Sequence, residues 1–489
     1  MRYKTIKFSI ILFISAFAVI SCGDDFVEVD SFDENSEDYF NNEEEYQEAL
    51  TATYDLLQAT YLNVMLGEIA SDNTLAGGES ATDVPGIQEV DDMTHTPINS
   101  QLGDIWSWMF AGVNRANYVL EFKDKTDFSG KESVIAEATF LRAYYYFELV
   151  KWFGDVPLSI DERLLFGDQD VVERTPTAEV YTQIEIDLIF ASENLPSSQT
   201  DVGRATKGAA QALLGKVYLY QDKFTEAANV LDNLIVTGPY DLVTDYNSMF
   251  EFEGENNIES VFEVQYTDEE GAGFDCLQCS EGNVAVGFNG IRNYTGPVFE
   301  SGFSFNIPTQ EVVDAFEEGD IRKDVAILDI ESWAAQNSGV SFVSGNEHTG
   351  YYNRKYISRQ GDLNTGDANL TNPNNYRAIR FADVLLMAAE AHNRKAAPDD
   401  IKALSYLNRV RTRAMLANVT TTGNNLTADI YKERRVELVG EGHRFFDLVR
   451  TQRAAQEIDG FTTSKNEVFP IPSIELELVG NRWTQNTGY

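Results

Sequence analysis

The chain has 489 residues, 43% hydrophobic and 12% aromatic, with 37 Lys and Arg against 79 Asp and Glu, for a formal charge of -42. Such a composition buries a large core, while its carboxylate excess repels phosphate backbones and anionic lipid headgroups, which argues against nucleic-acid binding. Three Cys are too few for a disulfide scaffold.

Arg2, Lys4 and Lys7 precede an apolar run over residues 8–20 and a small residue, Ser21, before Cys22. These are the parts of a secretory signal, and the run is shorter than the roughly 20 residues a spanning helix needs. Val19-Ile20-Ser21-Cys22 resembles the bacterial lipobox. The resemblance implies removal of residues 1–21 and acylation of Cys22, which anchors the chain through its lipid. Subtracting the three positive charges of Arg2, Lys4 and Lys7 from -42 leaves -45. No Lys or Arg stands between Cys22 and Arg115, and Asp24, Asp25, Glu28 and Asp30 begin an acidic tether over 22–38. Residues 23–27 also resemble the acidic export signal of Bacteroidetes surface lipoproteins, which implies a location on the outer membrane facing the exterior.

Helical periodicity dominates the outer thirds of the mature chain. Residues 134–150 read as a long aromatic-rich helix. Ala210, Leu213, Leu214, Val217 and Tyr218 share one face of a helix that Thr206 can cap, and Phe224, Ala227, Ala228 and Leu231 stripe the next. Small residues on facing helices resemble a tetratricopeptide pair, and residues 381–393 with 404–413 read as another. The copies are irregularly spaced, so the expected fold is mainly α, a scaffold of interrupted helix pairs. Its helical regions are 39–239 and 377–489. Between them, residues 240–376 are rich in Gly, Asn, Ser and aromatics with β-type runs such as 259–265, which predicts a loop-rich mixed α/β insertion.

Catalytic motifs are absent: there is no G-x-S-x-G, H-E-x-x-H, Walker A or dinucleotide fingerprint. Four His give little material for metal or triad chemistry, and His95, His348, His392 and His443 are expected in solvated or core roles. Cys276 and Cys279 have metal-ligand spacing but no second pair, so a small local disulfide is expected and a metal site is not. Glu437 and Glu441, one turn apart, stand among Arg434, Arg435, Arg444, Asp447 and Arg450. Interleaved charge of that kind reads as a paired ion network, although two glycosidase carboxylates can meet from distant positions. No catalytic residue, cofactor or metal is assigned.

The run over residues 137–158, with Arg142 inside it and Gly154-Asp155-Val156-Pro157 at its exit, resembles the RagB/SusD family of outer-membrane nutrient-uptake lipoproteins. Residues 204–214, 308–316 with Asp320 and Arg322, 380–391, 408–414, 433–450, 469–472 and 485–489 resemble the family's later motifs in order. This resemblance covers the chain from Cys22 to Tyr489. It implies a SusD-like scaffold in which Arg142, Arg380 and Arg444 tie helix ends or loops. It also implies a non-enzymatic protein that captures an oligosaccharide and passes it to a SusC-like TonB-dependent transporter. Some members take a peptide instead, and a surface glycosidase is the remaining alternative. Family members stack sugars on loop aromatics, yet no aromatic occurs from Thr74 to Asp104. Ligand capture is therefore expected from the loops over 271–333, using Phe274, Phe288, Asn289, Tyr294 and Trp333 together with Asp72 and Asn73. The net charge favours neutral glycans over uronate-rich or sulfated ones.

Overall fold

A computed structural model describes residues 39–165, 168, 171–271, 273–361 and 369–489. The signal, Cys22 and the acidic tether lie outside the described residues.

The described residues fold as a mainly helical array, and among them no sheet closes on itself. The Ser100–Glu121 helix packs on Lys131–Phe153, which packs on Thr177–Asn194, which in turn meets Lys207–Tyr220. Lys131–Phe153 is buried on nearly every face, which is why its aromatics show no amphipathic stripe. Thr206 caps Lys207–Tyr220 by accepting the Ala209 N–H at 3.2 Å. The next helix, Phe224–Thr237, approaches so closely that a Cβ on Gly215 would stand 2.4 Å from Leu231. Small residues on this face therefore serve helix contact.

Phe224–Thr237 also packs against Phe381–Arg394, which starts more than 140 residues later and pairs with Asp400–Arg413 and Gly423–Glu437. Helices adjacent in space are thus separated in sequence by the loop-rich segment. That segment leaves and returns side by side, because Ser260–Val264 pairs antiparallel with Tyr376–Arg380. Within it are short two-stranded ladders, small helices and a second apolar cluster of Ile291, Tyr294, Phe299, Leu328, Ile330, Tyr352 and Ile357. The C-terminal tail closes over the end of the long helix: Phe469 N–H donates to the Trp152 carbonyl at 2.7 Å, and Asn486 Nδ2 donates to the Phe153 carbonyl at 2.9 Å.

Glu437 and Glu441 lie beneath the insertion. Arg380 donates to Glu259 and Glu437 at 2.9 Å and to Glu441 at 2.8 Å. Arg322 bonds Asp320, Glu433 and Glu437, Arg413 bonds Glu259 and Glu437, and Lys355 bonds Glu441 at 2.6 Å. The neighbours that sequence proximity suggested are used elsewhere: Arg434 holds Asp383 and Asp447, and Arg450 holds Glu390 and Asp447. Burial raises the cost of ionising Glu437, but Arg413, Arg380 and Arg322 outweigh it and hold the carboxyl well below its usual range. Arg142, in the long helix, grips Asp187 through two 2.8 Å bonds and reaches Asn117 and the Ile160 carbonyl.

Candidate functional site

Thr74–Gly77 pairs antiparallel with Phe305–Pro308, in the register Thr74 to Pro308 and Gly77 to Phe305. At the end of this ladder Gly77 takes φ +73° with the Ser304 carbonyl 2.3 Å from where a Cβ would stand, so only glycine fits. The emerging loop is pinned from three sides. Ala76 N–H donates to Asp91 at 2.6 Å, Gly77 N–H to Glu347 at 3.2 Å, and Asn346 N–H to the Gly78 carbonyl at 2.9 Å. Burial pushes the Asp91 carboxyl up to about 7, with Glu347 and Asp92 adding to the rise.

Below this loop stands Arg292. Its Nε donates to Ser304 Oγ at 3.0 Å and its Nη2 to the Phe303 carbonyl at 2.6 Å. Its carboxylate partners are distant: Asp83 at 3.5 Å and the exposed Glu79 at 3.7 Å. Phe303, on the same stretch, joins a run of aromatic rings. The exposed Phe274 lies 5.7 Å from it and Phe288 5.8 Å; Phe288 then meets Tyr61 at 6.5 Å, and Tyr61 meets the half-buried Trp108 at 6.2 Å. One turn before Trp108, burial pushes Asp104 up to about 6. This face offers apolar ring surface beside a guanidinium and the carboxylates that stand loosely off it. Those are the groups that stack on pyranose C–H faces and bond hydroxyls.

The seven binding residues expected from sequence divide into three groups. Phe274 and Phe288 meet the same ring, Phe303, but Phe288 is buried and only Phe274 faces solvent. Asn289 is also buried, accepting from Asn306 Nδ2 at 3.0 Å. Tyr294 and Trp333 sit apart in the second apolar cluster, where Trp333 Nε1 donates to Tyr294 Oη at 2.9 Å and the indole packs edge-on to Phe299 at 5.3 Å. Asp72 and Asn73 point the other way. Asp72 is clasped by Arg444 at 2.7 Å and Arg435 at 2.8 Å, and Asn73 bridges Glu68 and Arg435. In this arrangement the side chains of Asp72, Asn73, Phe288 and Asn289 are buried within the fold and offer little surface to a ligand.

Arg292, Phe303, Asp83, Glu79, Trp108 and Asp104 were not singled out by sequence reasoning. One signal pointed to the first: Arg292 is the sole Lys or Arg between Lys223 and Arg322. Phe274 is carried by a segment closed by a Cys276–Cys279 disulfide, whose single turn rests beside residues 58–60. Among the described residues no group of three His, Cys, Asp or Glu is placed to hold a metal ion. His95 contacts the Tyr489 hydroxyl at 2.8 Å and His392 contacts Asp232 at 3.0 Å, while burial pushes His443 down to about 3. His348 lies 3.6 Å from Glu331.

Interrupted helix pairs that carry a loop-built, aromatic and carboxylate-lined face define a non-barrel surface-binding scaffold. Comparison with known proteins makes the class specific. The SusD family model matches residues 265–469, and a model described as "Starch-binding associating with outer membrane" matches residues 25–219. A solved laminarin-binding SusD-like protein is 37% identical, with a TM-score of 0.85 over 92% of this chain and 100% of that one. Surface glycan-binding protein A from Bacteroides thetaiotaomicron, solved with laminarihexaose, is 26% identical, with a TM-score of 0.80 over 91% and 99% of the two chains. SusD-like protein P2 of Formosa agariphila is 28% identical over 434 residues, 82% of this chain and 83% of the relative. The chain belongs to the SusD/RagB family.

Proposed function

We propose that this protein is a non-catalytic, surface-exposed binder of a neutral glucan of the laminarin type, captured on the Arg292 face and delivered to a SusC-like TonB-dependent transporter. The observation that supports it most is the solved laminarin-binding relative, whose fold spans nearly the whole of this chain. On this face Phe274 and Phe303 supply the stacking surface, while Arg292, Asp83 and Glu79 bond hydroxyls. Trp333, half-buried, adds apolar surface at the far edge, within the same loop region. A non-enzymatic role fits the guanidinium-bound state of Glu437 and Glu441, which leaves neither carboxyl free to act as a general acid.

Titration calorimetry with laminarihexaose tests the reading. The expected dissociation constant is about micromolar, suited to a carrier that must release its cargo. No new reducing ends should appear on prolonged incubation. Absence of binding at millimolar oligosaccharide would reject the glucan assignment, and steady hydrolysis would reject the non-catalytic one.

Attachment to the outer membrane is proposed through acylated Cys22, on the strength of the lipobox spacing. Among the described residues no helix is long and apolar enough to cross a membrane. Cys22→Ala should move the protein from the membrane to the soluble fraction; retention of the variant on membranes would contradict the anchor.

A further inference from the structure

A second cleft, of about 750 Å³, opens between the C-terminal helices on the side of Asp72 that faces away from the aromatic run. In a chain with more than twice as many acids as bases, its charged lining is Arg394, Lys432, Arg435, Arg444 and Arg453 against Glu457 alone. The inner three guanidiniums are short of negative charge. Arg435 and Arg444 share a single carboxylate, Asp72, at 2.8 and 2.7 Å, and Glu457 stands off at 4.0 Å from Arg444. Arg453 has no carboxylate within ion-pair distance among the described residues. Its Nε donates to Thr451 Oγ1 at 3.2 Å and its guanidinium carbon stands 4.7 Å from the Tyr431 ring centre, and neither terminal nitrogen has a bonded partner among the described residues. Asp447 and Glu311 act on Arg453 and Arg435 only from beyond ion-pair distance, so at close range, among the described residues, the three guanidiniums face Asp72 and Glu457 alone in a partly desolvated cleft, an arrangement that one bound anion would balance.

Burial, reinforced by the charge of Arg444, pulls both Arg435 and Arg453 below the ordinary guanidinium range, as expected where positive charge is in excess. Arg394 and Lys432 extend the positive wall. Arg394 is paired inward to the buried Glu390 at 3.1 Å, and Lys432 is paired to the half-exposed Glu317 at 3.1 Å.

We propose that this cleft is a second ligand site that takes an isolated oxyanion, the carboxylate or sulfate ester of a sparsely charged sugar, with Arg453 as its principal contact. The sugar part of the inference rests on the glycan-binding reading above. Long-range repulsion by the acidic surface still selects against densely charged polymers, so the site would suit a mostly neutral chain with scattered anionic substituents.

The test uses the full mature chain and four small probes, inorganic sulfate, glucuronic acid, glucose 6-sulfate and glucose, at ionic strength fixed with sodium chloride. Sulfate should raise the melting temperature above the chloride control. Ligand-detected NMR should show at least one of the two anionic sugars bound and glucose unbound. Arg453→Gln should weaken anion binding about tenfold, while Phe274→Ala leaves it unchanged. Should Arg453→Gln fail to fold, Lys432→Gln on the open rim carries the same test with a smaller loss. Silence of all three anions, or undiminished binding by the variant that folds, overturns the site. Binding of sulfate with neither anionic sugar overturns the glycan assignment. Laminarihexaose binding is read separately, so its loss alone strikes the proposed function and not this cleft.

Discussion

Arg380 and Arg292 are both arginines among carboxylates, and the contrast between them separates what holds this protein together from what it uses. Arg380 is 1% exposed and satisfied on every side by Glu259, Glu437 and Glu441 at 2.8 to 2.9 Å. Arg292 stands at the edge of the insertion, with its nearest carboxylates 3.5 and 3.7 Å away and one of them, Glu79, 76% exposed. Ionised groups taken wholly out of water are tolerated only when closely paired, so the Arg380 network is committed to the fold. Arg292 is itself 15% exposed and anchored to Ser304 and the Phe303 carbonyl, so it is the distant carboxylates, Asp83 and the exposed Glu79, that can exchange their long contacts for a ligand's hydroxyls at little cost.

The largest expected effect follows from the committed side of this contrast. Arg380→Met leaves Glu259, Glu437 and Glu441 with one fewer cation in a dry interior and should destabilise the protein by about 3 to 5 kcal/mol. Arg292→Gln, which loses the bonds to Ser304 and the Phe303 carbonyl but strands no closely paired carboxylate, should cost about 1 to 2 kcal/mol, yet weaken laminarihexaose. Urea unfolding with calorimetry on the same preparations measures both quantities. Equal stability losses in the two variants would erase the distinction between the regions.

Aromatic residues sharpen the comparison within the proposed binding region itself. Sequence reasoning expects Ala replacements at Phe288, Tyr294 and Trp333 to spare the melting temperature. The structure changes that expectation, because Phe288 is 6% and Tyr294 7% exposed, each inside an apolar cluster. Phe288→Ala should therefore cost about 3 kcal/mol of stability. Phe274, 59% exposed, should behave oppositely: its Ala variant melts like the parent but binds laminarihexaose about 5- to 30-fold more weakly. Unchanged binding by a folded Phe274→Ala would move the platform elsewhere, with Trp333 the next residue to replace.

The helical scaffold was legible because its signals are local. Apolar spacing and the Thr206 cap act within a turn or two of the chain, so periodicity places Lys207–Tyr220 and Phe381–Arg394 to within a few residues. Side-chain partners were less legible, because they are chosen across the whole sequence. Asp72 looks like a loop residue free to bind until Arg444, 372 positions later, closes on it. Phe288 and Phe274 have the same composition context and both meet Phe303, and it is the approach of Tyr61 and Phe305 that sets the buried first apart from the exposed second. Likewise, nothing near Glu437 in sequence announces Arg322 or Arg380, whereas the charged neighbours that do stand nearby pair with other acids.

A smaller effect should appear in the pH dependence of stability, where the two regions act with opposite sign. In the committed region Asp383 and Asp447 are held below the ordinary carboxylate range: burial opposes ionisation, but Lys216 and Arg434 prevail at the first and Arg434 and Arg450 at the second. Their contribution is complete above the unfolded value near 4 and is lost as pH falls through the lower folded value. Asp91, under the binding loop, is the reverse case, with burial raising it from 3.8 to about 7. The folded state then binds more protons than the unfolded one between about pH 4 and 7, so stability falls as pH rises through that window and levels off above it. Discounted for relaxation and residual solvation, the fall should be on the order of 1 kcal/mol. Asp91→Asn keeps an oxygen for the Ala76 N–H and removes the titration. The variant should be more stable than the parent at pH 8, should show a flatter decline from pH 5 to 8, and should keep the parent's acid limb. Thermal melts across pH 3 to 8 distinguish these outcomes. A variant whose profile parallels the parent's at every pH would mean that Asp91 ionises in the folded loop as freely as in the unfolded chain.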